Sequence, residues 1–195
     1  YQLQKIETQP NMLKLDCNSC SFLTTIEQQP EMTDLSCMGC SSLLTINTYA
    51  KMQNLHCSFC FSLKKIEVQP DLKQLHCTCC SILHVIETQS MMESLSCNDC
   101  SSLIKIEAQP SMRKLNCSGN RKLKEIGTQP ALETLNCSWC PSLNIIPSQA
   151  LLQTLNASYC RSLKEIQLQP SLKSFKCHGC DRLKIDSQTF PIGRT

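Results

Sequence analysis

The residues best equipped for chemistry are the cysteines, of which the 195-residue chain has 17. Most fall in C-x-x-C pairs. Cys57-x-x-Cys60, followed after sixteen residues by Cys77-x-x-Cys80, has the spacing of a zinc ribbon, where two thiolate pairs converge on a tetrahedral ion. Taken alone, that spacing describes a zinc-binding structural or nucleic-acid-binding repeat protein. Two substitutions argue for packing instead. Asn120 and Ala157 occupy positions that other copies give to cysteine, and alanine cannot ligate a metal but does fill a small core slot. A free cysteine behaves as a small hydrophobe with a weak S–H donor. The odd count leaves at least one thiol unpaired within the chain. The expectation is therefore a ladder of reduced, buried thiols with no metal and no cofactor. Cys79, out of register between Cys77 and Cys80, is expected to be exposed and the thiol most open to oxidation.

The remaining reactive side chains do not assemble into a catalytic set. His56, His76, His84 and His178 lack a neighbouring nucleophile and an orienting acid. The five glycines are scattered, so no loop resembles a phosphate cradle. The chain is expected not to be an enzyme. His56 and His76 occupy equivalent positions in adjacent copies and should stack on one exposed face, with a two-histidine metal site as the alternative. The position after the serine that follows the first cysteine holds large aromatics at Phe59, Trp139 and Tyr159, with Phe61 nearby. Aromatics on an exposed rim bury much area at little entropic cost and so make good binding anchors. Packing over the loop edge is the competing explanation. The candidate partner-binding residues are Trp139, Tyr159, Phe59, Phe61, His56, His76, Asn116, Asn136 and Asn156.

What positions these residues is a repeat. Leu95, Cys97, Cys100, Leu103, Ile106, Gln109 and Pro110 recur 20 residues later as Leu115, Cys117, Asn120, Leu123, Ile126, Gln129 and Pro130. A fixed period of this length is the signature of a solenoid. One domain is expected over residues 1–195: a partial repeat at 1–11, about nine 20-residue copies over 12–191, and a tail at 192–195. The pattern breaks down after Asp186, where Phe190 and Ile192 offer a partial cap. Within a copy, x-Leu-x-Cys-x alternates apolar and polar residues as a short half-buried strand does. The residues alternating with the core, including His56, His76, Asn116, Asn136 and Asn156, should line one sheet face. The proline every 20 residues suits a turn and forbids a long helix, so the return path should be extended or a short 3₁₀ turn. The register glutamines, such as Gln69, Gln89 and Gln109, should satisfy turn backbone groups, with their amides stacked on one another along the outer side.

Composition narrows the partners. A formal charge of +3 and a pI near 8.1 are too mild for a dedicated nucleic-acid reader, which concentrates basic residues on one face. No apolar run approaches the roughly 18 residues of a membrane span. The expected partner is a protein or peptide, not nucleic acid or membrane, with self-association through an exposed end repeat as a further possibility. Thiols kept as core filler imply a reducing, cytoplasmic compartment.

The spacing L-x-x-L-x-C-x-x-C-x-x-L-x-x-I, complete at Leu72, Leu75, Cys77, Cys80, Leu83 and Ile86, resembles the leucine-rich repeat family. Its cysteines look like those of the cysteine-containing subclass and of some plant immune receptors. The 20-residue unit and the I-x-x-Q-P-x-L-x-x-L junction are similar to the short repeats of secreted bacterial effectors. The resemblance implies an α/β-type repeat solenoid, mostly β: a right-handed horseshoe with a parallel concave sheet and a non-helical or 3₁₀ convex side. It also implies a protein–protein interaction module, serving as the substrate-recognition part of a larger effector such as a ubiquitin ligase. Its location would then be the host cytosol.

Overall fold

The computed structural model describes residues 2–184. Asp186 and the cap suggested at Phe190 and Ile192 lie outside the described residues. The chain forms a mostly-β parallel solenoid of about nine turns, with no helix among the described residues. Each turn contributes one three-residue strand centred on a leucine (Phe175 in the last), from Lys14–Asp16 through Asn54–His56 and Thr134–Asn136 to Ser174–Lys176. These nine strands form one parallel sheet in strict sequence order, and every residue pairs with the one 20 positions on, as Leu95 does with Leu115. At about 4.8 Å between neighbouring strands, the stack is roughly 40 Å long.

The strands are shorter than the five-residue alternation suggested. The first cysteine lies beyond its strand yet, in every turn before the last, still donates its N–H to the next turn, as Cys37 does to His56 O at 2.8 Å. A second ladder runs along the return path. Two-residue strands ending at Ile6, Ile26, Ile46 and their successors pair in parallel in sheets of two or three strands. The return is therefore extended, and no 3₁₀ segment occurs among the described residues. The register fits a leucine-rich-repeat horseshoe and a parallel β-helix alike.

Three β-turns join these segments, and residue types explain each. Gln29-Pro30-Glu31-Met32 closes with Met32 N–H donating to Gln29 O at 3.2 Å, with proline where its fixed φ suits the second position of a turn. Leu43 N–H closes a second turn on Cys40 O at 3.1 Å, and Cys40 N–H a third on Cys37 O at 3.3 Å. In this third turn the residue before the second cysteine has a positive φ throughout, from Ser19 (61°) to Gly179 (65°).

The interior is a narrow column of Leu, Ile, Met and Cys. Leu95, Cys97, Cys100, Leu103, Ile106 and Met112 are all essentially inaccessible, and the same set recurs along the column. From Cys40 onward, the second thiol of each pair donates to the carbonyl of the first-cysteine position one turn back: Cys40 Sγ to Cys17 O at 3.2 Å, Cys100 Sγ to Cys77 O at 3.0 Å, Cys180 Sγ to Ala157 O at 3.0 Å. Asn120 takes over with its amide, giving hydrogen bonds to Cys97 O at 2.9 Å and Cys117 O at 2.8 Å. Its Oδ1 is left buried without a partner among the described residues. Burial holds the Cys97 thiol well above its ordinary pKa, so it stays protonated and unreactive.

The glutamine ladder is part of this interior. Gln69, Gln89, Gln109, Gln129, Gln149 and Gln169 are buried. The amides do not bond to one another, because the backbone supplies better partners. Gln109 Oε1 accepts Gln89 N–H at 2.7 Å, while Gln109 Nε2 donates to Glu87 O at 2.9 Å and Glu107 O at 3.2 Å. Each side chain thus satisfies main-chain groups of its own turn and the preceding one, which a dry interior requires. Tyr49, in the glutamine position, is also buried and donates its phenol O–H to Ile26 O at 3.1 Å.

Candidate binding surface at the left-handed turns

The positive-φ residues form a ladder of their own: Ser19, Gly39, Phe59, Cys79, Asp99, Gly119, Trp139, Tyr159 and Gly179. Their backbone explains why they hold register. All but Gly179, in the last turn, donate their N–H to the carbonyl one residue earlier in the next turn, as in Trp139 N to Ser158 O at 2.8 Å and Phe59 N to Thr78 O at 2.8 Å. Side chains on the core-facing leucine sheet support the bend. Asn136 Oδ1 accepts Ser138 N–H at 3.2 Å, and Asn156 Oδ1 accepts Ser158 N–H at 3.1 Å. Asn116 Oδ1 makes the same contact with Ser118 N–H at 3.4 Å. These asparagines are half-buried and engaged locally, so their acceptors already serve the turn. Ser58, Ser138 and Ser158 are buried, although each directly precedes an exposed aromatic. The left-handed turn itself lifts the next residue outward.

A left-handed backbone costs a non-glycine residue about 1–2 kcal/mol, and bulky residues rarely adopt it. Here Trp139 (φ 59°) and Tyr159 (φ 62°) do so in consecutive turns. Their rings stack with centroids 4.1 Å apart and planes 21° apart, which returns about 0.5–1.5 kcal/mol. The pair stays on the surface, Trp139 55% exposed and Tyr159 39%. Phe59 and Phe61 meet edge to face at 6.5 Å and are also exposed. That pair sits four turns from Trp139, about 19 Å along the stack, so the four aromatics make two patches rather than one.

His56 and His76 also come together, with ring centroids 4.3 Å apart. They are half-buried rather than solvent-facing. Burial, and secondarily the neighbouring His56, lowers the pKa of His76, because a second charge beside the first is unfavourable in a partly desolvated site. Among the described residues no three His, Cys, Asp or Glu side chains converge as a metal site would need. Cys79, expected to be exposed, is half-buried on the left-handed ladder. Burial, followed by the Asp99 carboxylate, pushes its thiol up, so it is a poorer nucleophile than its position suggested.

The structure adds residues that the aromatic pattern alone did not reveal. A hollow of about 450 Å³ opens beside Trp139 and Tyr159, bounded by Asp99, Gly119, Arg121, Pro141 and Arg161. Gly119 (φ 74°) is where the ladder lacks a side chain, and the Asp99 carboxylate leans across it, so that a Cβ on Gly119 would collide with Asp99 Oδ1. Similarly, Tyr159 lies over Gly179, where a Cβ would meet the ring at 2.7 Å. Arg121 and Arg161 occupy the same register position on either side of Pro141. Neither guanidinium has an ion pair among the described residues. The readable signal was small-residue and Asp usage at one register position, Gly39, Asp99, Gly119 and Gly179, which marks a position tolerant of positive φ.

Comparison with known proteins adds little beyond this geometry. No family model and no curated protein matches the chain. Among solved structures, the chain is similar to a crystal structure of a leucine-rich repeat protein from Bacteroides ovatus ATCC 8483. The two are 15% identical over 93% of this chain and 77% of that one, with a TM-score of 0.29. An overlap that loose carries no argument about curvature or function.

Proposed function

We propose that this chain is a non-enzymatic recognition module that binds a protein or peptide along the rim made by its left-handed turns. One observation carries the reading: two large aromatics, stacked and exposed, occupy consecutive positions where glycine would relieve backbone strain. Outliers of this kind concentrate at ligand-binding sites, where function offsets their cost. Stacked solenoid turns supply the rigid, extended platform that such an anchor needs. In this reading the solenoid is a leucine-rich-repeat horseshoe working in a reducing compartment, the cytosol, as the recognition part of a larger effector-type protein. The I-x-x-Q-P-x-L junction and the buried thiols support those finer points.

The test exploits the strain. Glycine at positions 139 and 159 removes both rings while suiting the backbone, so a loss of binding cannot be blamed on unfolding. Peptides and small domains selected from a displayed library on the immobilised chain should bind the Trp139→Gly/Tyr159→Gly protein at least about tenfold more weakly, consistent with loss of two anchor residues. Selected binders that hold the glycine variant as tightly as the parent would overturn the proposal.

A further inference from the structure

We infer that the hollow between Asp99 and Trp139 takes a tyrosine side chain from an acidic segment of the partner protein; this rests on the recognition reading above. Side chains at the left-handed positions stand about 4.8 Å apart along the stack. Trp139 and Tyr159 fill two successive rungs and stack face to face at 4.1 Å. The rung before them is Gly119, which has no side chain of its own; the Asp99 carboxylate lies over it, and Trp139 and Tyr159 both line the hollow alongside. A flat ring entering the hollow packs against the exposed side of that stack, within reach of Asp99. Aromatic pairs are favourable edge to face as well as offset-stacked.

Polar groups around the hollow narrow the choice of ring. The Asp99 carboxylate leans over Gly119, and its oxygens have no hydrogen-bond or ion-pair partner among the described residues. An ionised carboxylate only accepts hydrogen bonds, so the incoming group should carry a donor. A phenol O–H meets that need, and a phenylalanine ring does not. On the outer side, Arg121 and Arg161 bracket the hollow two turns apart, roughly 10 Å by the stack spacing. Exposed Lys122 and Lys124 add to Arg121 in the same turn. Unpaired guanidiniums present forked donors suited to carboxylates. Acidic residues flanking the tyrosine would meet them, while a basic segment would be repelled.

Trp139 is the only tryptophan, so its emission, excited on the red edge beyond tyrosine absorption, reports on this site. The intact chain is titrated with fluorescently labelled random copolymers of glutamate and tyrosine, of glutamate alone, and of lysine and tyrosine, following both Trp139 emission and label anisotropy. The glutamate–tyrosine polymer should bind and shift Trp139 emission. Polyglutamate should bind several-fold more weakly, and the lysine–tyrosine polymer weaker still. Arg121→Ala/Arg161→Ala, both exposed positions, should weaken glutamate–tyrosine binding roughly tenfold, the product of two surface ion pairs. Asp99→Ala should erase the preference for the tyrosine polymer over a glutamate–phenylalanine polymer. Equal affinity for polyglutamate, indifference to the arginine substitutions, or no binding at all would overturn the inference. If selected binders still depend on Trp139 and Tyr159 in those cases, the recognition reading survives and only the ligand chemistry falls.

Discussion

Replacing Gln109 with leucine is the sharpest probe of the buried amide ladder. The substitution keeps volume close to native and removes three hydrogen bonds. Gln89 N–H loses its acceptor at 2.7 Å, and Glu87 O loses its donor at 2.9 Å. Glu107 O keeps a partner, since Gln129 Nε2 also reaches it at 3.1 Å. Two main-chain groups are therefore orphaned, at about 1–3 kcal/mol each. Extra apolar burial by leucine returns about 1 kcal/mol. The expected net loss is about 3 kcal/mol, against a change within about 0.5 kcal/mol for Gln74→Leu on the exposed face. Urea unfolding followed by far-UV circular dichroism measures the difference. Amide hydrogen exchange localises it, because protection should fall at the Gln89 N–H before it falls elsewhere. A Gln109→Leu protein as stable as the Gln74→Leu control, with the Gln89 amide still protected, would refute the assignment of these glutamines as obligatory backbone partners.

Three further outcomes follow from the same geometry. Gly39→Ala should cost about 1–2 kcal/mol in urea unfolding, all of it from φ, because a Cβ there meets nothing closer than 3.6 Å; Ser19→Gly, at φ 61°, should shift stability the other way, by about 0.5–1 kcal/mol after the unfolded-state entropy of glycine is deducted. The folded-state pKa of His76 is lowered, so the unfolded chain binds more protons, and stability should fall as pH drops through about 6.5 towards the folded value. Thermal melts at stepped pH should show this slope, and His76→Gln should flatten it. Finally, brief alkylation of the native protein, read by mass spectrometry, should modify only the half-buried Cys20, Cys79, Cys177 and Cys180, whereas the denatured chain should take up label at all 17 cysteines; early labelling of Cys97 or Cys100 would contradict the packed thiol column.

Legibility from sequence tracked how directly a residue's chemistry fixes its surroundings. Leu95, Cys97, Leu103 and Ile106 declared the interior, since only a stacked repeat buries apolar residues at that period. Ala157 in a cysteine slot marked the thiols as filler, and the carbonyl-directed S–H bonds follow from that role. The glutamines were recognisable as backbone partners, but a polar side chain does not reveal which side of a turn it occupies. They proved interior because the column leaves main-chain groups there without water. The hollow was least visible. Trp139 and Tyr159 stood out by size, yet Asp99, Gly119, Arg121 and Arg161 join them only through a positive φ, which depends on the whole turn. Ser138 and Ser158 show the same limit: a serine's type does not fix its depth, and the bend turns them inward.

The one-to-one pairing of residue n with n + 20 has a consequence for how such a chain changes over generations. Each rung exchanges bonds almost entirely with its immediate neighbours, so gaining or losing a whole copy leaves every junction chemically familiar. Slippage of the coding sequence by one unit would therefore yield a foldable array, lengthened or shortened by about 4.8 Å. The paired histidines and the Trp139 hollow would move apart or together in steps of that size, letting the molecule adjust its reach without redesigning any single turn.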